Sequence, residues 1–297
     1  MLIKGTCAKK DLMTEIYKAI LFPGSNWTEI SSNKINDYKS DGNDGWVFKS
    51  PPIGYKKENI FMRLKSADLS YNGSSRNYIN IFLSDNYTPS STTGKNGVFT
   101  NMGRVNTIYF TPSDGTNYNP DTLYDYYIDV LDYRILMVIE VHTVSTVTYP
   151  NLIYIGYPDI NTNLEGEDYT NQFVAGSNIY NTSSNYMYWH KAPGSLGNKS
   201  QYNKFAKTFC NINNSNPTPM GLYLLNPIYV TGDGVGNNVP DTGFLGVLDG
   251  IYGLSSANIV NGDIVCIDNN NYKVFNLLQL SNYYSSLGSI RYIAMKI

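Results

Sequence analysis

Near the start of the chain, apolar residues fall at Leu12, Ile16, Ala19 and Ile20, the spacing of one helical face. Asp11 stands where it can cap that helix, and Pro23-Gly24 stops it. Trp27 follows at once and predicts a chain that folds back onto the helix. The expectation is a helix packed on a β core, with a partner-binding helix as the competing use.

Beyond Trp27 the hydrophobic period drops to two. "GWVFKSPP", "NIFMRLKSADLSY" and "NYINIFLSD" alternate apolar and polar residues over strand-like lengths. The Gly-, Asn- and Ser-rich "SDGNDG", "NGSSRN" and "TPSSTTGKNG" separate them as turns. The most apolar stretch is "YRILMVIEVHTVSTVTYPNLIYIGYP", residues 133–158. Its odd positions, Tyr133, Ile135, Met137, Ile139 and Val141, are apolar; the even ones, Arg134, Leu136, Val138, Glu140 and His142, are mixed. That parity predicts a strand buried on one side, its mixed face less buried. Pro150-Asn151 is expected to turn the chain into the returning strand "LIYIGY". An unbroken strand over residues 133–149 would span roughly 55 Å, unless a bulge near Thr143 divides it.

Residues 159–220 are polar, Tyr-rich and weakly periodic, the pattern of long functional loops or an insertion. Strand signal returns in "GLYLLNPIYVTG", in "GDIVCIDNNNYKVFNLL" and in "SIRYIAMKI"; the second reads as a hairpin turning at "DNNN". The predicted fold is mainly β: an antiparallel β-sandwich or barrel-like sheets, with one N-terminal helix and long loops. Four sections follow: a helix and Trp connector (1–30), a β-rich domain (31–158), the Tyr/Asn-rich loop or insertion (159–220), and a C-terminal β segment completing the sheets (221–297).

Composition narrows the function classes. Of the 297 residues 42% are hydrophobic and only 15% charged, too few charges for a coiled coil or a disordered acidic tail. Net charge is −2 with Lys and Arg scattered, so no nucleic-acid partner is expected. Arg134, Glu140 and His142 share one strand face, and no apolar run approaches a spanning length, so no membrane partner is expected either. The N-terminus lacks the pattern of a signal peptide. Cys7, Cys210 and Cys266 are odd in number and far apart, and read as free, buried thiols of a protein made in a reducing cytoplasm.

Candidate chemistry is sparse. Glu140 and His142 could meet on one strand face, with Arg134 further along, but no nucleophile accompanies them. They read as polar strand positions, and His190 in "YMYWHKAPG" reads as part of an aromatic contact surface. "TGDGVGNNVPDTG" lacks the Lys-Ser/Thr of a phosphate loop, while "SDGNDG" and "DNNN" lack the closing Glu of a calcium loop. No catalytic residue, cofactor or metal ligand is therefore assigned. The aromatic clusters supply the candidate interface: Tyr126, Tyr127, Tyr186, Tyr188, Trp189, Tyr283 and Tyr284. Protein–protein contact is the expected use, ahead of a glycan platform or plain core packing.

Several segments together carry a resemblance. "KDLMTEIYKAILFPGSNWTEI" is a helix leading to a Trp-containing segment; "YRILMVIEVHTV" and "NLIYIGYP" are a hydrophobic strand followed by a YIG-type strand and Pro; "GDIVCIDNNNYKVFNLL" and "IRYIAMKI" close the chain. In this order they resemble a group of tailed-bacteriophage virion structural proteins of the neck and tail region. The segment after Pro158 departs from that group in lacking a dense proline pattern. The resemblance implies a protein made in the bacterial host cytoplasm that enters a phage or phage-tail-like particle. It implies a symmetric homo-oligomer in the tail or the neck and collar at the head–tail junction, against neighbouring tail, collar or baseplate proteins. The alternatives are a receptor- or glycan-binding adsorption protein of the baseplate and, weakest, a cell-wall hydrolase.

Overall fold

The computed structural model describes residues 1–33, 45–53, 57–71, 74–100, 106–109, 121–142, 150–159, 172–177, 179–180, 187–189, 205–210, 225–232, 244–255, 259–277 and 290–297. Strand β1 (Leu2–Ala8) leads through a 3-10 turn (Lys9–Asp11) into helix α1 (Leu12–Ile20). Next come β2 (Thr28–Glu29), β3 (Trp46–Lys49), β4 (Phe61–Tyr71), β5 (Ser74–Ser84), β6 (Asn86–Thr88), β7 (Val98–Thr100) and β8 (Asn106–Tyr109). The centre of the chain holds β9 (Leu123–Leu131), β10 (Arg134–Val141) and β11 (Asn151–Gly156). After them run β12 (Phe173–Gly176), β13 (Ile179–Tyr180), β14 (Met187–Trp189) and β15 (Phe205–Phe209). The last strands are β16 (Asn226–Gly232), β17 (Phe244–Leu254), β18 (Ile264–Ile267), β19 (Asn270–Asn276) and β20 (Tyr292–Lys296).

All these strands pair antiparallel. One sheet has twelve strands in the order β1-β9-β10-β11-β12-β14-β15-β16-β17-β20-β19-β18, and a second has six in the order β13-β8-β5-β4-β3-β2. The large sheet does not close into a barrel; β1 and β18 are its edges. It folds over on itself instead. Leu136 and Val138 of β10 and Leu152 and Tyr154 of β11 share a core with Val230 of β16, Ile251 of β17, Phe275 of β19 and Ile293 of β20. On the opposite face of β10, Ile135, Met137 and Ile139 pack with Ile16 and Ile20 of α1 and with Phe48, Met62 and Leu64 of the six-stranded sheet. Strand β10 is therefore the partition between two cores.

That placement corrects the one-sided reading of this strand. Leu136 and Val138 are as fully buried as their odd-numbered neighbours. Parity along one strand cannot show a second sheet half arriving from residues about ninety or more positions away. The expected Pro150-Asn151 turn is also corrected. Ile139 pairs with Asn151 and Arg134 with Gly156, so Asn151 belongs to the returning strand rather than to a turn. The described part of the outgoing strand ends at Val141, and the rest of the expected strand, residues 143–149, lies outside the described residues.

At the N-terminus, β1 went unpredicted because seven residues of mixed "LIKGTCA" carry little alternation. The helix forms as expected, yet Asp11 makes no side-chain capping bond; the 3-10 turn leads into it instead. Trp27 does fold back: it is buried beside the helix, and its indole N–H donates to the Leu131 carbonyl at 2.9 Å. The "DNNN" hairpin is present as β18 and β19, turning through Asp268 and Asn269 at φ 50° and 62°. Asp and Asn tolerate this left-handed pair, which suits the twist of a two-residue hairpin. Four short strands, β12 to β15, lie within residues 159–220 and join both sheets.

Candidate functional site

The mixed face of β10 is where the two halves of the large sheet are fastened. Its apolar centre, Leu136 and Val138, is flanked by one buried charge at each end, Arg134 and Glu140. Neither charge lies on an exposed face, contrary to expectation: Arg134 is 2% exposed and Glu140 9%. A charge so buried persists only if paired and hydrogen-bonded.

Arg134 is paired twice. Its Nη2 lies 2.7 Å from Asp129 Oδ2 on the neighbouring β9 and 2.8 Å from Asp249 Oδ2 on β17. Nε donates to the same Asp249 oxygen at 3.0 Å, and Nη1 donates to the Asp129 carbonyl at 3.0 Å. The Tyr133 hydroxyl donates to Asp249 at 2.8 Å. Burial alone would raise the Asp129 pKa, but the adjacent guanidinium outweighs it and the net direction is down. Burial and then Asp249 push the Tyr133 hydroxyl pKa far up, so it stays a donor. Gly250 makes room for this group: with φ +81°, a Cβ there would sit 2.6 Å from Arg134 Nη2.

At the other end of β10, Glu140 Oε1 accepts from Lys273 Nζ on β19 at 2.8 Å, and Oε2 accepts from the Asn261 amide at 3.1 Å. Lys273 also donates to the Tyr127 hydroxyl and lies over the Tyr127 ring, 4.3 Å from its centroid. Burial lowers the Lys273 pKa, while its bonds to Glu140 and Tyr127 raise it; the net direction is up. His142 is held elsewhere, with Nδ1 2.8 Å from Asp125 Oδ1, which also accepts from the Thr6 hydroxyl. Glu140 and His142 thus have separate partners, and the acid–base pair considered from sequence does not assemble.

The candidate interface residues are distributed differently from expectation. Tyr126 is a core residue whose hydroxyl donates to Glu15 on α1 at 3.1 Å; burial, then Glu15, push its pKa up to about 12. Gly5, its cross-strand partner, is the reason it fits, since a Cβ at Gly5 would come 2.5 Å from the Tyr126 hydroxyl. Tyr127 is engaged by Lys273. Tyr188 and Trp189 fall in β14, paired with Val174 and Phe173 of β12. Tyr186, Tyr283, Tyr284 and His190 lie outside the described residues. Sequence reasoning missed Asp129, Asp249 and Lys273. Their one available signal was the presence of Arg134 and Glu140 in an otherwise apolar run, which demands counter-charges.

An open depression of about 740 Å³ lies beside the β9–β10 turn, walled by Phe22, Pro23, Pro52, Ile53, Leu131 and Tyr133. Lys57 and Asp132 reach its rim, and the Asp132 carboxylate accepts from the Asn26 amide at 3.0 Å. Among the described residues no group of three or more His, Cys, Asp and Glu side chains could hold a metal ion. The three cysteines are free but not all buried as expected: Cys266 is exposed, and Cys7 and Cys210 are half-buried, each with its pKa pushed up to about 11, mainly by burial, which makes those two poor nucleophiles. No described helix is long and apolar enough to cross a membrane. Neither the models of known protein families nor the curated proteins contain a match to this chain.

Proposed function

We propose that this chain is a structural component of a phage or phage-tail-like particle, assembling as a symmetric oligomer in the tail or in the neck and collar. The observation that carries the reading is the use made of its buried charges. Arg134 and Glu140 each bind a residue of the opposing sheet half, Asp249 and Lys273 respectively. Both charges thereby brace a β framework. A subunit whose work is to hold position between neighbours requires such a frame, and repeated interfaces between identical frames close rings. The resemblance of its order of short motifs to tailed-phage virion proteins supports the same reading, with the protein made in the host cytoplasm and carried in the virion.

The test is a deletion of the gene from the producing phage or particle locus, followed by electron microscopy of the products. Arrested assembly, with heads and tails unjoined or tails incomplete, and rescue by the gene in trans are expected. Morphologically complete particles that fail only to adsorb to cells would instead favour the receptor-binding alternative.

A further inference from the structure

Strand β18 ends the twelve-stranded sheet, and among the described residues no strand pairs with its outer edge. Its two-residue hairpin makes Ile267 and Asn270 the closing hydrogen-bonded pair. Alternation then fixes every backbone group: Val265 and Ile267 bond to β19, while Ile264 and Cys266 point their N–H and C=O outward. The Asp263 carbonyl, which accepts from the Val274 amide at 2.8 Å, sets the same phase from the other end. Among the described residues nothing pairs with the outward groups of Ile264 and Cys266. The side chains there are apolar and exposed, 54% for Ile264 and 63% for nearby Val260, and Cys266 is exposed too. The strand holds neither the lysine nor the proline that commonly guards an edge.

We propose that β18 pairs antiparallel with β18 of a second copy, about a two-fold axis through Val265, with Ile264 of each copy opposite Cys266 of the other. In this register every outward N–H and C=O of Ile264 and Cys266 is matched, giving four inter-chain hydrogen bonds. A shift of one residue sets outward groups against inward ones; a shift of two leaves one residue of each strand unmatched. The side chains agree: Ile264 and Cys266 of both copies share one face, and Val265 meets its own copy on the other. A second copy thus satisfies the whole edge in one register, with its exposed apolar side chains covered by their own counterparts. The inference rests on the assembly reading only for the expectation that copies meet; the register comes from the edge.

Cross-linking of the purified full chain tests it. In a Cys266→Ser background, Val265→Cys places two thiols at a non-hydrogen-bonded pair whose Cα atoms lie ~4.5 Å apart, within disulfide range. Mild oxidation is expected to convert most of the chain to a disulfide-linked dimer on a non-reducing gel. Ile264→Cys in the same background lies diagonal to its copy, roughly 8–9 Å away, and is expected to give about tenfold less dimer. Replacing Cys266→Ser by Cys266→Pro removes an outward donor without touching the β19 ladder and is expected to suppress the dimer, with circular dichroism unchanged. Ile264→Lys is the second edge-blocking variant and serves if the proline variant does not fold. No dimer from Val265→Cys, equal yields from the two cysteine positions, or a dimer indifferent to both edge-blocking changes would overturn the pairing. Failed cross-linking of a chain that is present in particles removes only this interface. A dimer formed by a chain absent from particles removes only the particle reading.

Discussion

Arg134 on β10 and Asp249 on β17 stand 115 positions apart in the chain, yet Nε and Nη2 of one lie 3.0 and 2.8 Å from a single carboxylate oxygen of the other. This contact ties the two halves of the large sheet together at one end of their shared core, as Glu140 and Lys273 do at the other. Removing one partner of a buried pair leaves the other charge uncompensated, which costs more than the pair itself contributes. Arg134→Met should therefore destabilise the chain by about 3 kcal/mol, because it takes the only cation shown beside Asp249 among the described residues and leaves Asp129 with the N-terminal ammonium alone. Urea denaturation measures this, and a loss below about 1 kcal/mol would place the pair among surface ion pairs of little consequence.

The same cluster sets a pH limit. The Asp129 pKa is depressed below its ordinary 3.8, so its contribution is fully present above that value and is lost as pH falls through the lower folded-state pKa. Lys273 is raised above 10.5, so its contribution is fully present below that value and is lost as pH rises through the higher folded-state pKa. Melting temperature against pH should show both limbs. Asp129→Asn should flatten only the acid one, and Lys273→Met only the alkaline one.

Both faces of β10 are buried, so Ile139→Ala and Leu136→Ala should each cost about 2–5 kcal/mol. Denaturant midpoints of the two variants decide the point. A strand buried on one side only would show a large loss at Ile139 and a small one at Leu136.

Two glycines should differ in tolerance. Gly156 has φ +121°, and an added Cβ would fall 2.4 Å from the Tyr133 carbonyl oxygen. At Gly250 the nearest atom is 2.6 Å away but belongs to the side chain of Arg134. Backbone cannot give way as a side chain can, so Gly156→Ala should cost more than Gly250→Ala. Both should exceed about 1 kcal/mol from the left-handed backbone alone. Calorimetry of the two variants checks the order.

What could be read in the sequence was local. The helix at Leu12–Ile20 and the Asp268-Asn269 hairpin depend on neighbours within a few residues, and both stand in the structure; the fold-back of Trp27 was legible from its place just after the helix stop, though its bond to Leu131 was not. The antiparallel β class was legible for the same reason. The two-sided burial of β10 was not, because Leu136 and Val138 are covered by β16, β17, β19 and β20 across long separations. Tyr126 was misplaced at an interface since nothing near it in sequence reveals Gly5 as the cross-strand partner that lets it lie in the core. Arg134 and Glu140 read as surface polar residues for want of Asp249 and Lys273, whose proximity only the folded sheet creates.

The central claim, that this chain is a built-in part of a particle, is tested most directly by quantitative mass spectrometry of particles purified by density gradient and washed in high salt. The account predicts the chain in those particles at a fixed copy number relative to the major tail protein, in a multiple set by ring symmetry. Absence from washed particles, or recovery in variable trace amounts, would contradict it.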